Sequence, residues 1–381
     1  MHFNQIIGQD HIKKHLQKSA ENGRIPHAQL FIGDEGSGTL PMAIAYAQFL
    51  LCNFSNDVDT CTIKCNKLQH PDLHFAFPVT TNDAVKKHPI SSLFLEDWRN
   101  FVKEQPYGSL FNWLHYIGVE NKQGLIGVDE AEEIVKTLKL KSYEGGFKVM
   151  IIWMAEKMNI AAANKLLKLI EEPPSKTVFL LITENEEQII NTIKSRCQTL
   201  HFPRLSEEDI ASALHVNYQV SENEAQHIAH QAEGNYNKAL HLLHNDSSDL
   251  VFEEWFVAWI RTAFKAKGNA TVVTQLIAWS DTIAKTGRET QKRFLEYCLQ
   301  FFRQAMLQNY KSEELVFMES KTGFQLSKFA PFIHSGNILD IEKELNDAMY
   351  HIERNGNAKI ILLDLSMKLT RFLHKKEEQV N

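Results

Sequence analysis

The sequence predicts an α/β domain followed by helical domains, and three observations predict it. Over the first ~200 residues, short apolar runs alternate with helix-period segments, the pattern of strands feeding a mostly parallel sheet. Gln29–Ile32 (QLFI) runs straight into the glycine-rich stretch Gly33–Leu40 and then into an apolar helix, so strand, glycine loop and helix follow one another. After Pro203 the strand signals stop and only helical periods remain.

Each element follows from its local pattern. Pro41 falls in the first turn of the helix after the glycine loop, where a missing N–H is tolerated, and the helix continues to Leu51. Leu73–Phe77 (LHFAF) reads as the second strand. Val128–Leu138 reads as a helix with Ala131, Ile134, Val135 and Leu138 on one face, and with Glu130, Glu132 and Glu133 as a solvated acidic face. Lys148–Trp153 (KVMIIW) is the third, fully buried strand. Asn159–Ile170 is an apolar helix stopped by Glu171-Glu172-Pro173-Pro174. Thr177–Thr183 is the fourth strand and Gln198–Phe202 the fifth. Ser206 with Asp209, and Ser221 with Glu224, read as capping boxes that start two helices. Phe252, Trp255, Phe256, Trp259, Ile260 and Phe264 form an aromatic stripe at helical spacing, and Leu295, Cys298, Leu299, Phe302 and Met306 form another. Such stripes are read as core, not as base-stacking surfaces. A final helix runs from about Lys359 to Leu373. There is no internal repeat or low-complexity segment. The expected domains are 1–204, 205–248 and 249–381, with borders near Arg204 and Ser247–Asp249. The stretch 79–124 is long for a connection and reads as an insertion. Its Trp98, Phe101, Tyr107, Phe111 and Trp113 are either a local core or a partner surface.

Bulk properties exclude several classes. A hydrophobic content of 44% and a charged content of 23% over 381 residues describe a globular chain with ample core. The net charge of −6 argues against a protein that coats nucleic acid on its own charge, though not against a small local contact within a complex. The N-terminus lacks a basic flank followed by an apolar run, and no stretch approaches the ~20 apolar residues that span a bilayer, so a cytoplasmic chain without membrane contact is expected. Five cysteines do not make a disulfide framework, and clustered cysteines in a reducing compartment suggest metal first.

The glycine loop keeps the shape of a phosphate-binding loop without its chemistry. A working loop reads GxxxxGK[ST]. Gly33, Gly36 and Gly38 are in place, but Thr39 stands at the lysine position and Leu40 at the hydroxyl position that would hold Mg²⁺. Pro41 removes a further N–H donor.

The chain resembles the delta-prime family of bacterial DNA polymerase III clamp-loader subunits, within the AAA+ group, along nearly its whole length. Phe3–Gln9 resembles the family's opening segment near the adenine site, and Arg24–Ala28 leads into the loop strand in the same way. Ala162–Pro174 (AANKLLKLIEEPP) is close to its most recognisable run, and Ser195-Arg196-Cys197 matches its SRC motif. Arg354–Lys359 before an apolar helix resembles the signature of its C-terminal collar. The resemblance implies a RecA-like domain, a small helical lid and an all-helical collar.

It also implies which roles are missing. Phosphate-binding-loop ATPases need a lysine on the phosphates, a hydroxyl and an acid on Mg²⁺, and a group that orients water. At the acid positions after KVMII stand Trp153 and Met154, and Glu156 falls past them. In the lid segment Gly234–Leu240, Asn237 stands where relatives carry a nucleotide-sensing arginine. No ATPase activity is therefore expected from this chain alone, nor any bound nucleotide. Arg196 is different: the resemblance implies that it reaches into a neighbouring subunit's ATP site, where a planar, permanently charged guanidinium suits phosphate contact.

Relatives also carry a zinc module spaced C-x₈-C-x₂-C-x₂-C. Here Cys52 and Cys61 match the first spacing, Cys65 follows after three residues, and His70 is the candidate for a fourth ligand. The expectation is a decayed module without zinc, with a Cys₃His site as the alternative. Cys197 and Cys298 read as buried apolar fillers. The pairs His11/His15, His227/His230 and His241/His244 lack a supporting ligand set.

The function implied is that of a non-hydrolysing clamp-loader subunit of the polymerase III holoenzyme. Its partners would be the ATPase subunits, the clamp-opening delta subunit, the sliding clamp and, through the complex, primer–template DNA. The alternatives are an ATP-hydrolysing clamp-loader subunit with an unusual loop, and an AAA+-like adaptor outside replication.

Overall fold

The computed structural model describes all residues except 54, 56, 120, 121, 145, 245–247, 313–315, 317–319, 321 and 377–381. Two compact units emerge, Met1–Val119 with Gln123–His244, and Asn245–Asn381 with Glu120–Lys122. Of the expected border at 247–249, residue 247 lies outside the described residues, as do 120 and 121 of the insertion.

The first unit begins with α1 (Asp10–Glu21), β1 (Ala28–Ile32), α2 (Thr39–Cys52), α3 (Val58–Asn66) and β2 (Leu73–Ala76). It continues with α4 (Leu95–Glu104), α5 (Leu110–Tyr116), α6 (Val128–Lys139), β3 (Lys148–Ile152), α7 (Ile160–Glu171), β4 (Thr177–Thr183), α8 (Asn191–Lys194) and β5 (Gln198–His201). The strand order is β2-β3-β4-β1-β5, and every neighbouring pair is parallel. Parallel pairs need crossover connections, and the helices between strands supply them. β1, β3 and β4 are buried at every residue, which is why they read as continuous apolar runs. β5, at the sheet edge, is mostly exposed and correspondingly polar. Alternate residues serve opposite faces. Phe31, Ile151 and Leu180 pack with α2 and the insertion, whereas Leu30, Ile152 and Leu181 pack with α6 and α7. The glycine loop leaves the carboxyl end of β1, the edge of an open α/β sheet where ligands bind. This is the predicted RecA-like arrangement.

The insertion is a local core. Trp98, Phe101 and Trp113 are fully buried. Phe77 stacks on Trp98 at 4.2 Å, and Trp113 meets Trp98 edge-on at 5.2 Å. Phe111 is half-buried and stacks on His115.

Three helices complete the first unit: α9 (Glu207–Tyr218), α10 (Glu222–Ala232) and α11 (Tyr236–Leu243). They share a small core that includes Ile210, Leu214, Ala229 and Tyr236. Ser206 and Ser221 accept the N–H of Asp209 and Glu224 at 3.1 and 3.3 Å, the cap half of each expected box. Asp209 accepts the Ser206 hydroxyl at 2.7 Å.

The second unit holds α12 (Ser248–Lys265), α13 (Ala270–Ala284), α14 (Arg288–Asn309), α15 (Leu326–Phe329), α16 (Ile338–Glu353) and α17 (Ala358–Phe372). Both predicted stripes form its core, except Phe264, which is 40% exposed: Phe256 meets Phe301 at 4.2 Å, and Trp259 stacks on Trp279 at 5.0 Å. The Trp259 indole N–H, which would otherwise be buried unpaired, donates to Ser366 Oγ at 2.8 Å.

Candidate functional site

The loop after β1 is engaged by the chain's own side chains. Gly33 N–H donates to Thr183 O of β4 at 3.2 Å. Gly36 (φ +75°) and Gly38 (φ +91°) take left-handed conformations, and Gly38 is the N-cap of α2. A β-carbon on Gly36 would come within 2.7 Å of the Tyr236 backbone nitrogen, so glycine there permits close approach of α11. Tyr236 N–H donates to Gly36 O at 3.3 Å. Asn237 Nδ2 donates to Glu35 Oε1 at 2.8 Å and to Asn112 Oδ1 at 2.9 Å. Asn235 Nδ2 reaches Glu35 Oε1 at 3.4 Å, and Arg204 Nε pairs with Asp34 Oδ2 at 2.8 Å. The buried Tyr107 hydroxyl accepts Ile7 N–H at 2.9 Å, and its ring meets Tyr236 edge-on at 4.9 Å. Burial pushes the Tyr236 hydroxyl up to about 12 and Tyr107 higher, so both stay neutral. Gln9 Nε2 donates to Ser37 O and Pro203 O at 3.1 and 2.7 Å. Thr39, Leu40 and Pro41 are buried in the first turn of α2.

No local pattern in the sequence encodes this contact between α11 and the glycine loop. Its one signal was the pair of acids, Asp34 and Glu35, inside a loop that in an ATPase cradles phosphate. A carboxylate there repels phosphate oxygens, and an amide at Asn237 is the group that can bond it.

The residues after β3 are core. Trp153 is 2% exposed and lies 5.1 Å from Trp98, within the insertion's aromatic cluster. Met154 is buried with φ +55° and ψ +56°, a left-handed conformation that a longer side chain adopts only when its surroundings enforce it. Glu156 accepts the Glu184 N–H at 3.3 Å through Oε1, while its Oε2 is buried with no hydrogen-bond partner. Burial raises its pKa.

Arg196 follows α8. Its Nη1 donates to Thr192 O at 2.9 Å, and its Nη2 pairs with Glu171 Oε2 at 3.2 Å. Its Nε is buried with no hydrogen-bond partner, while the side chain as a whole is 33% exposed.

The cysteines converge, but not as the sequence suggested. Cys52 and Cys61 are joined in a disulfide, contrary to the expectation that the cluster points to metal first. The end of α2 and the body of α3 bring their Cα atoms to 5.4 Å, within bridging reach. Cys65 Sγ lies 3.7 Å from Cys52 Sγ. A structural zinc site needs four converging ligands. Ligand atoms of Cys52, Cys61 and Cys65 fall within 4.8 Å of one another, and so do those of Cys61, His70 and Glu144, but among the described residues no single set holds four. The His70 ring is already committed: Nδ1 accepts Asp72 N–H at 3.1 Å, and Nε2 lies 3.3 Å from Glu144. Burial pushes the Cys65 thiol up to about 12. The two ligand groups share Cys61.

Two further readings are corrected. Glu130 does not belong to a solvated face: it is 3% exposed and accepts Ser91 N–H at 2.5 Å, because the insertion covers the first turn of α6. Cys197 is half-buried rather than buried, whereas Cys298 is buried as expected. Among the paired histidines, His230 bonds Glu207 at 2.7 Å, His227 lies 2.9 Å from Gln231, and His241 lies 3.3 Å from Asn112.

Similarity to known proteins covers the same region. A family described as DNA polymerase III, delta subunit, matches residues 8–206, more than half of the chain. The delta-prime subunit of DNA polymerase III from Bacillus subtilis (strain 168) is 31% identical over 243 residues, covering 62% of this chain and 60% of that protein. The tau subunit from the same organism is 28% identical over 246 residues, covering 63% of this chain and 37% of tau. The matches thus span less than two thirds of either relative. A solved gamma-subunit-related protein from Thermotoga maritima aligns over 96% of this chain and 99% of its own, with 14% identity and a TM-score of 0.40. On the family match over more than half of its length, the chain belongs to the family described as DNA polymerase III, delta subunit.

Proposed function

We propose that this chain is a clamp-loader subunit that hydrolyses no ATP itself and contributes Arg196 to the ATP site of a neighbouring subunit. The observation that carries the first half is the contact between the glycine loop and α11, in which Glu35 accepts Asn237 at 2.8 Å. The lid's own amide meets a carboxylate of the loop, on positions where an ATPase would place a sensor arginine and a phosphate cradle. Trp153, packed among aromatics, supports the same reading at the metal-binding position. Family membership supports the second half, since Arg196 lies in the SRC motif and remains partly exposed.

In this role Arg196 would stabilise charge that develops on the transferred phosphoryl group, an effect worth about 10³–10⁵ in rate in well-studied systems. The subunit would sit at the end of a ring beside the clamp-opening delta subunit. It would help load the sliding clamp at primer–template junctions, touching DNA through backbone contacts only. The domains would be the RecA-like domain at 1–204, the lid at 205–248 and the collar at 249–381, in a cytoplasmic protein that needs neither bound nucleotide nor zinc. Among the described residues no helix is long and apolar enough to cross a membrane.

The test is ATP turnover by a loader reconstituted with its partner subunits, stimulated by DNA and clamp. Arg196→Ala is expected to lower turnover at one site by about ten-fold or more while the complex still assembles. Unchanged turnover would reject the role in trans. The similarity to tau favours one rival, an ATP-hydrolysing subunit. Turnover by the purified chain alone would establish that rival.

A further inference from the structure

Arg196 is gripped from two sides by its own subunit. Thr192 O accepts from Nη1 at 2.9 Å, and Glu171 Oε2 accepts from Nη2 at 3.2 Å. A guanidinium has five N–H donors in a rigid fork. The two grips use one donor on each terminal nitrogen and leave the other donor of each uncommitted. A long side chain that would otherwise sample many rotamers is thereby held in one.

The placement of Glu171 is itself informative. It is the last residue of α7, where the carbonyl ends of the helix make a carboxylate unfavourable. Pro173 and Pro174 follow directly and cannot continue the helix, so the position of Glu171 is set by the helix end. A carboxylate at the wrong end of a helix, opposite a guanidinium from another element, is explained by that partner. The pair is half-exposed, at 33% for Arg196 and 55% for Glu171, so it contributes little to stability. Its contact is single rather than bidentate, and this leaves the fork free to receive phosphate oxygens.

We propose that Glu171 is a positioning residue for Arg196, holding the guanidinium in the orientation from which its free donors meet the phosphates of a neighbouring subunit's ATP. This rests on the reading of Arg196 as acting in trans.

The experiment compares wild type, E171A, E171Q, R196A and the double variant E171A/R196A in the reconstituted loader, measuring kcat and KM for ATP with DNA and clamp. E171A is expected to lower kcat at the affected site by about three- to ten-fold with KM for ATP unchanged, because orientation and not ground-state binding is lost. E171Q keeps an acceptor oxygen and should recover part of the loss. The double variant should match R196A, since Glu171 acts only through Arg196. The melting temperature should stay within about 1 °C in both Glu171 variants. If R196A lowers turnover and E171A does not, the proposal is overturned and the role of Arg196 stands. If the two losses multiply in the double variant, Glu171 acts elsewhere and the proposal is also overturned. If R196A itself has no effect, the reading in trans fails first, and the proposal with it.

Discussion

Glu130 shows how one buried carboxyl sets a pH dependence. Burial pushes its pKa from 4.5 up to about 7, opposed by the hydrogen bonds from Ser91. Below about pH 4.5 the group is protonated in folded and unfolded chains alike, so it has no effect on stability. Between pH 4.5 and 7 the unfolded chain releases the proton and the folded one keeps it, so stability falls as pH rises. Above about pH 7 both are ionised and the full cost, about 3 kcal/mol, remains. Glu130→Gln should therefore raise the stability of the first unit by about 1–3 kcal/mol at pH 8 and by almost nothing at pH 4.5. Urea unfolding at both values measures this, and equal effects at the two would refute it. Burial also disfavours the charged form of Lys148 and lowers its pKa. Its ammonium donates to Leu138 O and, at 2.6 Å, to Leu140 O, and these carbonyls at the end of α6 offset part of that cost.

At the scale of elements, the decisive relation is between the glycine loop and α11. Neither is unusual alone: the loop has its glycines, and α11 begins with an Asn235 cap that accepts Lys238 N–H at 3.0 Å. Together they form a polar seam of Glu35, Asn112, Asn235 and Asn237. Removing the Asn237 amide deletes two hydrogen bonds, each worth about 1 kcal/mol net. Asn237→Ala should speed amide exchange across α11 by about thirty-fold and leave α13, in the other unit, unchanged. Exchange as slow as in wild type would mean that apolar packing around Tyr236 alone seats the helix.

At the scale of the whole molecule, the two units each own a core, one built on a parallel sheet and one on stacked aromatic helices. Units with separate cores unfold separately unless a large interface couples them. Calorimetry of the full chain is expected to resolve two transitions. Adding Mg–ATP should shift neither, whereas a ligand at 100 times its Kd would stabilise the fold by about 2.7 kcal/mol. A shift in the first transition would point to nucleotide binding at the glycine loop. Much of this architecture was legible beforehand. β1, β3 and β4 declare themselves because strands buried on both faces need unbroken apolar runs, and the aromatic stripes of α12 and α14 need a helical period.

What the sequence determined by itself was whatever depends on near neighbours: strands, helix caps, the strand–loop–helix junction, the residues missing from the phosphate loop, and the motifs that place the chain in its family. Tertiary structure decided what the loop became. Glu35 meets Asn237 across 202 positions, and Asn112 meets Asn237 across 125, separations that no local pattern encodes. It also decided that Glu130 is buried beneath the insertion, that Cys52 and Cys61 are bridged, and that Arg196 is held by Glu171. Local propensity is written in spacing along the chain. Burial, pairing and charge compensation arise only when the folded sheet and its helices bring distant residues within a few ångströms.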